Sequence, residues 1–203
     1  MKPIIGIKEG KLTHIIYWKQ FRDHLSFLRK DEQNFERLIL SGLFLSLVLE
    51  AYITYIIEYL LEYVNREQNR SIRRIWENNF RDSAQLNKKF AFLCDIYLKD
   101  SQNLKERKKV QIFIEKRIRP LRNKIIHAHE FSIVRWSDGK EKKSSLALEL
   151  TPKEIYKLED ELIKCIQLIE AIINKLAMNE FINGSSRKAV IGSLKFGIDL
   201  RKN

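Results

Sequence analysis

Glycine and proline are scarce in this chain, 7 and 3 among 203 residues. A many-stranded sandwich or barrel needs frequent turns, so this shortage argues for long helices instead. Cysteine is scarcer still. Cys94 and Cys165 stand far apart among apolar neighbours, without a CxxC pair or a disulfide-like spacing. Both read as small buried residues of a reduced compartment. The signatures of several enzyme classes are missing too: no Walker-type phosphate loop, no GxGxxG after a strand, no HExxH and no GxSxG. The stretch Met1 to Lys8 has neither the long apolar core nor the cleavage site of a secretory signal.

Hydrophobic residues and positive charge are plentiful. Hydrophobic residues make up 44% of the chain, enough for one domain with a sizeable core. Lys and Arg number 38 against 26 Asp and Glu, a net charge of +12. An excess of that size attracts polyanions such as nucleic acid or an anionic membrane surface. A Lys-rich solvated surface is the plainer reading.

Apolar spacing predicts a helix from about Leu12 to Lys30, carrying Ile15, Trp18, Phe21, Leu25 and Leu28. Asp31 is the expected cap of a second, longest helix that runs to about Asn65. Ser46, Glu50, Thr54, Glu58 and Glu62 recur every four residues there and form one slowly drifting polar stripe. The rest of that helix is nearly apolar all round and must be covered by helical neighbours or a dimer partner. Its carboxylates count against a membrane span between Leu38 and Val64, so the chain is expected to be cytoplasmic. A short Arg-rich helix is expected over 72–80, then one from a Ser83 cap to Leu98 with Leu86, Phe90, Leu93, Cys94 and Tyr97 buried.

Residues 103–130 are densely basic. Pro120 either kinks a helix there or opens a new one at its first turn, and the second is preferred. Partial alternation on both sides of Asp138-Gly139 predicts a β-hairpin over about 131–150. Thr151-Pro152-Lys153-Glu154 is a strong helix start with a capping box, and that helix is expected to reach Phe181. The fold class is therefore all-α, with a small β-hairpin insertion. Residues 1–183 form one domain, and 184–203 a basic and apolar tail, either loose or docked.

The best chemical candidate is Arg122-Asn123 followed by His127. On a helix, Asn123 and His127 lie one turn apart on one face. Arg119 extends that stripe only if the helix continues through Pro120. His can move a proton near neutral pH, Arg can hold a phosphate bidentately, and Asn can orient either one. With 15 Arg and 4 His, an Arg-x4-His pair arises by chance roughly 0.3 times per such chain, and Asn directly after Arg lowers that to roughly 0.02. The competing reading is a basic helix whose His happens to face a carboxylate. Glu50 is either the partner of Arg119 or Arg122, or a partly exposed stripe residue.

Arg122-Asn123-x-x-x-His127 on a late helix of a basic α-rich chain resembles the signature of the HEPN domains: Arg, a polar residue, then His after four to six intervening residues. The resemblance covers residues 11–180 more loosely, through the helical order and the apolar second helix beside the motif helix. It implies a HEPN-like helical bundle and a metal-independent endoribonuclease without cofactor, of the kind found in toxin–antitoxin and antiviral defence systems. It further implies a homodimer that cleaves RNA by 2′-hydroxyl attack in a composite site, with an antitoxin or nucleotidyltransferase as partner. Arg122, Asn123 and His127 would be catalytic, with His129, Arg119 and Glu50 accessory. His129 stands where some relatives carry a Tyr that is adenylylated, a departure from that pattern; it also lies within the motif's spacing and competes with His127. His127-Ala128-His129 offers only two metal ligands, so no metal site is expected. The alternatives are a non-catalytic RNA- or nucleotide-binding module and a regulatory partner protein.

Overall fold

The computed structural model describes residues 13–63, 69–82, 84–97, 104–128, 135–137, 140–142, 150–174, 184–197 and 200. The chain is all-α. Helix α1 spans Thr13–Lys30 and α2 spans Phe35–Tyr63, and the short turn between them makes an antiparallel hairpin packed along its length. The cap of α2 is Asn34, whose Oδ1 accepts the Arg37 N–H at 3.1 Å. Asp31, expected in that role, instead accepts the Gln33 N–H within the turn. Asn34 directly precedes the first helical residue, where a side-chain oxygen reaches the third N–H of the helix.

Helices α3 (Asn69–Asn79) and α4 (Leu86–Tyr97) follow. Ser83, the expected cap of α4, lies outside the described residues. Leu86, Phe90, Leu93 and Cys94 are buried as their spacing predicts, while Tyr97 is only half-buried. Phe92 and Lys89 are buried as well. Trp76 of α3 and Phe92 of α4 meet with ring centroids 5.4 Å apart.

Helix α5 (Leu104–Phe113), a π-helical segment (Ile114–Ile118) and α6 (Arg119–Ala128) follow one another without a break. Pro120 therefore does not open a new helix, contrary to expectation. At the junction the Arg119 N–H donates to the Ile114 carbonyl, five residues back. The wide π turn lies just before Pro120, where the helical ladder loses a donor. Helix α7 (Pro152–Asn174) has the cap and first residue read from the sequence, since Thr151 Oγ1 accepts the Glu154 N–H at 3.2 Å and Pro152 takes the first helical position, but the Glu154 carboxylate expected to close a capping box faces Lys124 instead. The Glu154 carboxylate lies 3.7 Å from Lys124 Nζ. The expected end of this helix, 175–181, lies outside the described residues.

Two three-residue strands, β1 (Arg135–Ser137) and β2 (Lys140–Lys142), pair antiparallel, with Trp136 opposite Glu141. The remainder of the expected 131–150 insertion lies outside the described residues, apart from Leu150, which is buried.

One core joins all the described helices, α3 through Trp76 and α8 through Leu194 included. Leu45, Val48, Leu49, Tyr52, Ile53, Ile56, Ile57 and Leu60 of α2 are fully buried in it. Phe35–Glu62 is long and apolar enough to cross a membrane by length and composition, and half of its most apolar window is buried inside the bundle, as a central core helix would be. Gly42 is where α2 meets α6 and α7: a Cβ there would lie 2.8 Å from Ile125 Cδ1 and 3.4 Å from Ile155 Cδ1. Glu159 of α7 is buried and bridges to Arg22 and Arg29 of α1, so its charge is doubly compensated.

The C-terminal segment docks. Helix α8 (Gly184–Leu194) ends in Leu194, which is buried with Phe196. The Tyr52 hydroxyl donates to the Leu194 carbonyl at 2.9 Å, and the Phe196 N–H donates to Glu170 at 2.8 Å. His14 Nε2 donates to the Phe196 carbonyl at 3.2 Å, and burial lowers the pKa of His14 to about 4. Cys94 and Cys165 are free and buried; burial pushes the Cys94 thiol up to about 11 and the Cys165 thiol higher still.

Candidate functional site

Helix α6 is held in a fixed rotation. Leu121 and Ile125 are buried where Gly42 of α2 and Ile155 of α7 converge, and Ile118 is buried at the end of the π segment. On the α7 side, Arg117 grips Glu161 at 2.7 Å and Lys124 faces Glu154. This rotation leaves Arg119, Arg122 and Asn123 exposed together. All three line one cleft of about 330 Å³.

The polar stripe of α2 forms the opposite wall, with Ser46 and Glu50. Asp82, Gln85 and Asn87, around the start of α4, complete the mouth, and Leu86, Ile114 and Ile118 supply apolar surface. Arg119 joins the stripe because the helix does continue through Pro120. A chain broken there would have left its direction open.

Glu50 organises the charges. Arg122 Nη1 lies 3.1 Å from Glu50 Oε2, and Lys89 Nζ lies 2.9 Å from Glu50 Oε1. Of the two readings of Glu50, pairing with Arg122 is the one the structure displays; Arg119 is not its partner. The Lys89 side chain is 6% exposed, that of Glu50 21% and that of Arg122 45%. The ion triad thus grades from a buried ammonium to a half-exposed guanidinium. A buried ammonium demands a partner, and Glu50 meets that demand with one oxygen while offering the other to Arg122.

Lys89 was missed in the sequence, although the signal was there. It falls at the helical spacing of Leu86, Phe90 and Leu93, on the face that had to be buried. A lysine on such a face needs a carboxylate, and the stripe of α2 holds the nearest supply.

His127 lies on the last turn of α6, four residues after Asn123; its side chain and all of His129 lie outside the described residues. The other two histidines have structural surroundings. His14 sits among Tyr52, Tyr55 and Phe196. His24 stacks on Phe44 and meets Arg37 at 2.8 Å; burial, and then the Arg37 charge, lower its pKa. Among the described residues, no three of His, Cys, Asp and Glu come together in a way that could hold a metal.

The cleft brings two guanidiniums from one helix together with amide donors and two carboxylates, Glu50 and Asp82, and Arg122, half-exposed, is the guanidinium placed to meet an anion. Family models, curated proteins and solved structures were all compared with this chain, and none matches it.

Proposed function

We propose that this chain is a HEPN-type endoribonuclease that needs no metal, acts as a homodimer, and serves as a toxin or defence component. The observation that carries the reading is the placement of Arg122 with Arg119 and Asn123 in one cleft, on the helix that bears His127 one turn further on. The second long apolar helix packs beside that motif helix, as the HEPN resemblance implies. In this reading His127 removes the proton from a ribose 2′-hydroxyl, whose oxygen attacks the adjacent phosphorus. Arg122 stabilises the charge that grows on the phosphate, and Asn123 orients the reacting groups. His127 of a second copy protonates the departing 5′-oxygen, leaving a 2′,3′-cyclic phosphate and a 5′-hydroxyl. One imidazole cannot easily act as base and acid at the same time, which is why two copies serve the chemistry.

One observation favours a second reading. Arg122 stands half-exposed beside Arg119 in one cleft, and two guanidiniums suffice to hold a phosphate without any proton transfer, which suits a module that binds RNA without cutting it. Incubation of the purified protein with mixed cellular RNA in EDTA separates the two. Cleavage by the parent that is lost in both His127→Ala and Arg122→Ala supports the ribonuclease. Salt-dependent binding that survives His127→Ala, with no cleavage by the parent, supports the module.

A further inference from the structure

Glu50 and Arg122 also line a second cleft, of about 310 Å³, along α1 and α2, with Lys89 of α4 on its wall. Its walls include Tyr17 of α1 with Leu47, Thr54 and Tyr55 of α2. The ion pair is thus a wall common to two recesses of different character. The first holds Arg119 and several amides and has no aromatic ring; the second holds two tyrosines.

We propose that the second cleft is a base-stacking subsite, in which Tyr17 and Tyr55 receive an unpaired base of the RNA strand whose phosphate Arg122 holds. The inference rests on the phosphate role given to Arg122 above. A base is joined to its phosphate through one sugar, so a phosphate on Arg122 brings a base to one of the two adjoining recesses. Single-stranded RNA is recognised largely by splayed bases stacked on aromatic rings. The recess without rings then carries the continuing backbone, and the recess with tyrosines takes the base.

Size and rigidity agree with that occupant. A volume of about 310 Å³ lies at the small end of ligand pockets. A protein helix about 10 Å across does not enter such a space. Both rings are braced before any ligand arrives. Tyr17 rests against Phe44 with centroids 6.0 Å apart, and Tyr55 rests against His14 at 4.8 Å while its hydroxyl donates to the Ser193 carbonyl at 2.6 Å. Braced rings lose little freedom on binding. Glu58, also on the wall, lies 3.7 Å from Arg81, so the probe is chosen for stacking alone, and adenine offers a large ring face.

The test uses the full chain carrying His127→Ala, so that no probe is cut. Its affinity is measured for a short oligoadenylate and for an abasic ribose-phosphate strand of equal length. The base-bearing strand should bind about tenfold more tightly. Tyr17→Leu, which keeps an apolar contact with Phe44, should abolish that advantage and leave the abasic affinity and its salt dependence unchanged. Tyr17→Phe should keep the advantage. Equal affinity of the parent for both strands overturns the subsite. So does an advantage that survives both Tyr17→Leu and Tyr55→Leu, or a homodimer that comes apart in Tyr17→Leu, which would assign this face to a second copy. A base advantage in a chain whose parent cuts no RNA in EDTA supports the subsite and removes only the nuclease reading.

Discussion

Lys89 and Glu50 meet 2.9 Å apart beneath Arg122, and the lysine is the more deeply buried of the two. The order of burial sets the order of mutational cost. Glu50→Leu strands a buried ammonium with no counter-charge and should destabilise the fold by about 3 kcal/mol. Lys89→Met leaves Glu50 still paired with the half-exposed Arg122 and should cost about 1 kcal/mol. Urea denaturation of the two variants checks the order. Equal losses, or a larger loss in Lys89→Met, would show that Glu50 rather than Lys89 is the group that depends on the pair.

Gly42 should tolerate one methyl group and no more. Its added Cβ meets the far ends of Ile125, Leu121 and Ile155, which can shift by a few tenths of an ångström. Overpacking opposes a helix-propensity gain of about 1 kcal/mol, so Gly42→Ala should change stability by less than about 1 kcal/mol. Gly42→Leu has no such room. It should push α6 away from α2, destabilise by about 3 kcal/mol and weaken the proposed RNA binding or cleavage, because Arg122 rides on α6 while Glu50 rides on α2. Retention of both properties in Gly42→Leu would mean that the close approach at Gly42 does not position the cleft.

The helical frame was legible because few glycines and prolines interrupt it and apolar residues recur at helical spacing. Thr151 and Pro152 announced α7, and the four-residue stripe on α2 marked the wall of both clefts. The cap of α2 was misplaced from Asn34 to Asp31 because two suitable side chains stand three residues apart and only the turn geometry chooses between them. Arg122, Asn123 and Arg119 were legible as a local pattern along one helix. Lys89 stands at the spacing of a buried helix face, but its carboxylate partner on α2 and the placement of Tyr17 and Tyr55 along one cleft arise from the meeting of α1, α2 and α4, which no local spacing encodes.

His14 should make the docked C-terminal segment sensitive to acid. Its folded pKa, about 4, lies below the ordinary value of 6.5, so the unfolded chain takes up the proton first. This contribution to stability is complete above pH 6.5 and is lost as the pH falls from 6.5 towards 4. The loss is at most about 3 kcal/mol. The comparison is between the parent and His14→Phe, with melting midpoints followed from pH 7 to pH 4. Carboxylates act on both proteins alike, so the difference isolates His14. The parent should lose more stability than the variant across that window, and parallel curves would show that His14 is solvated in the native state.

Pro120 allows the register of the motif helix to be tested separately from its stability. The proline is exposed, lies within continuous helix and follows a π turn closed by the Arg119 N–H and the Ile114 carbonyl. Pro120→Ala restores one backbone donor and removes the ring from a helix interior. An interior proline costs about 3 kcal/mol in an unadapted helix, and the π turn has already relieved part of that strain, so a gain of about 1 kcal/mol is expected. The buried residues on either side of the turn, Val110 and Phe113 before it and Leu121 and Ile125 after it, hold the rotation of the helix by themselves. The π turn should therefore persist without the proline, and the proposed RNA binding or cleavage should match the parent. Were the variant more stable but inactive, the turn would have relaxed to α-helix and rotated Arg119 and Arg122 out of the cleft. The proline, rather than the packing around it, would then be what keeps the two guanidiniums in register.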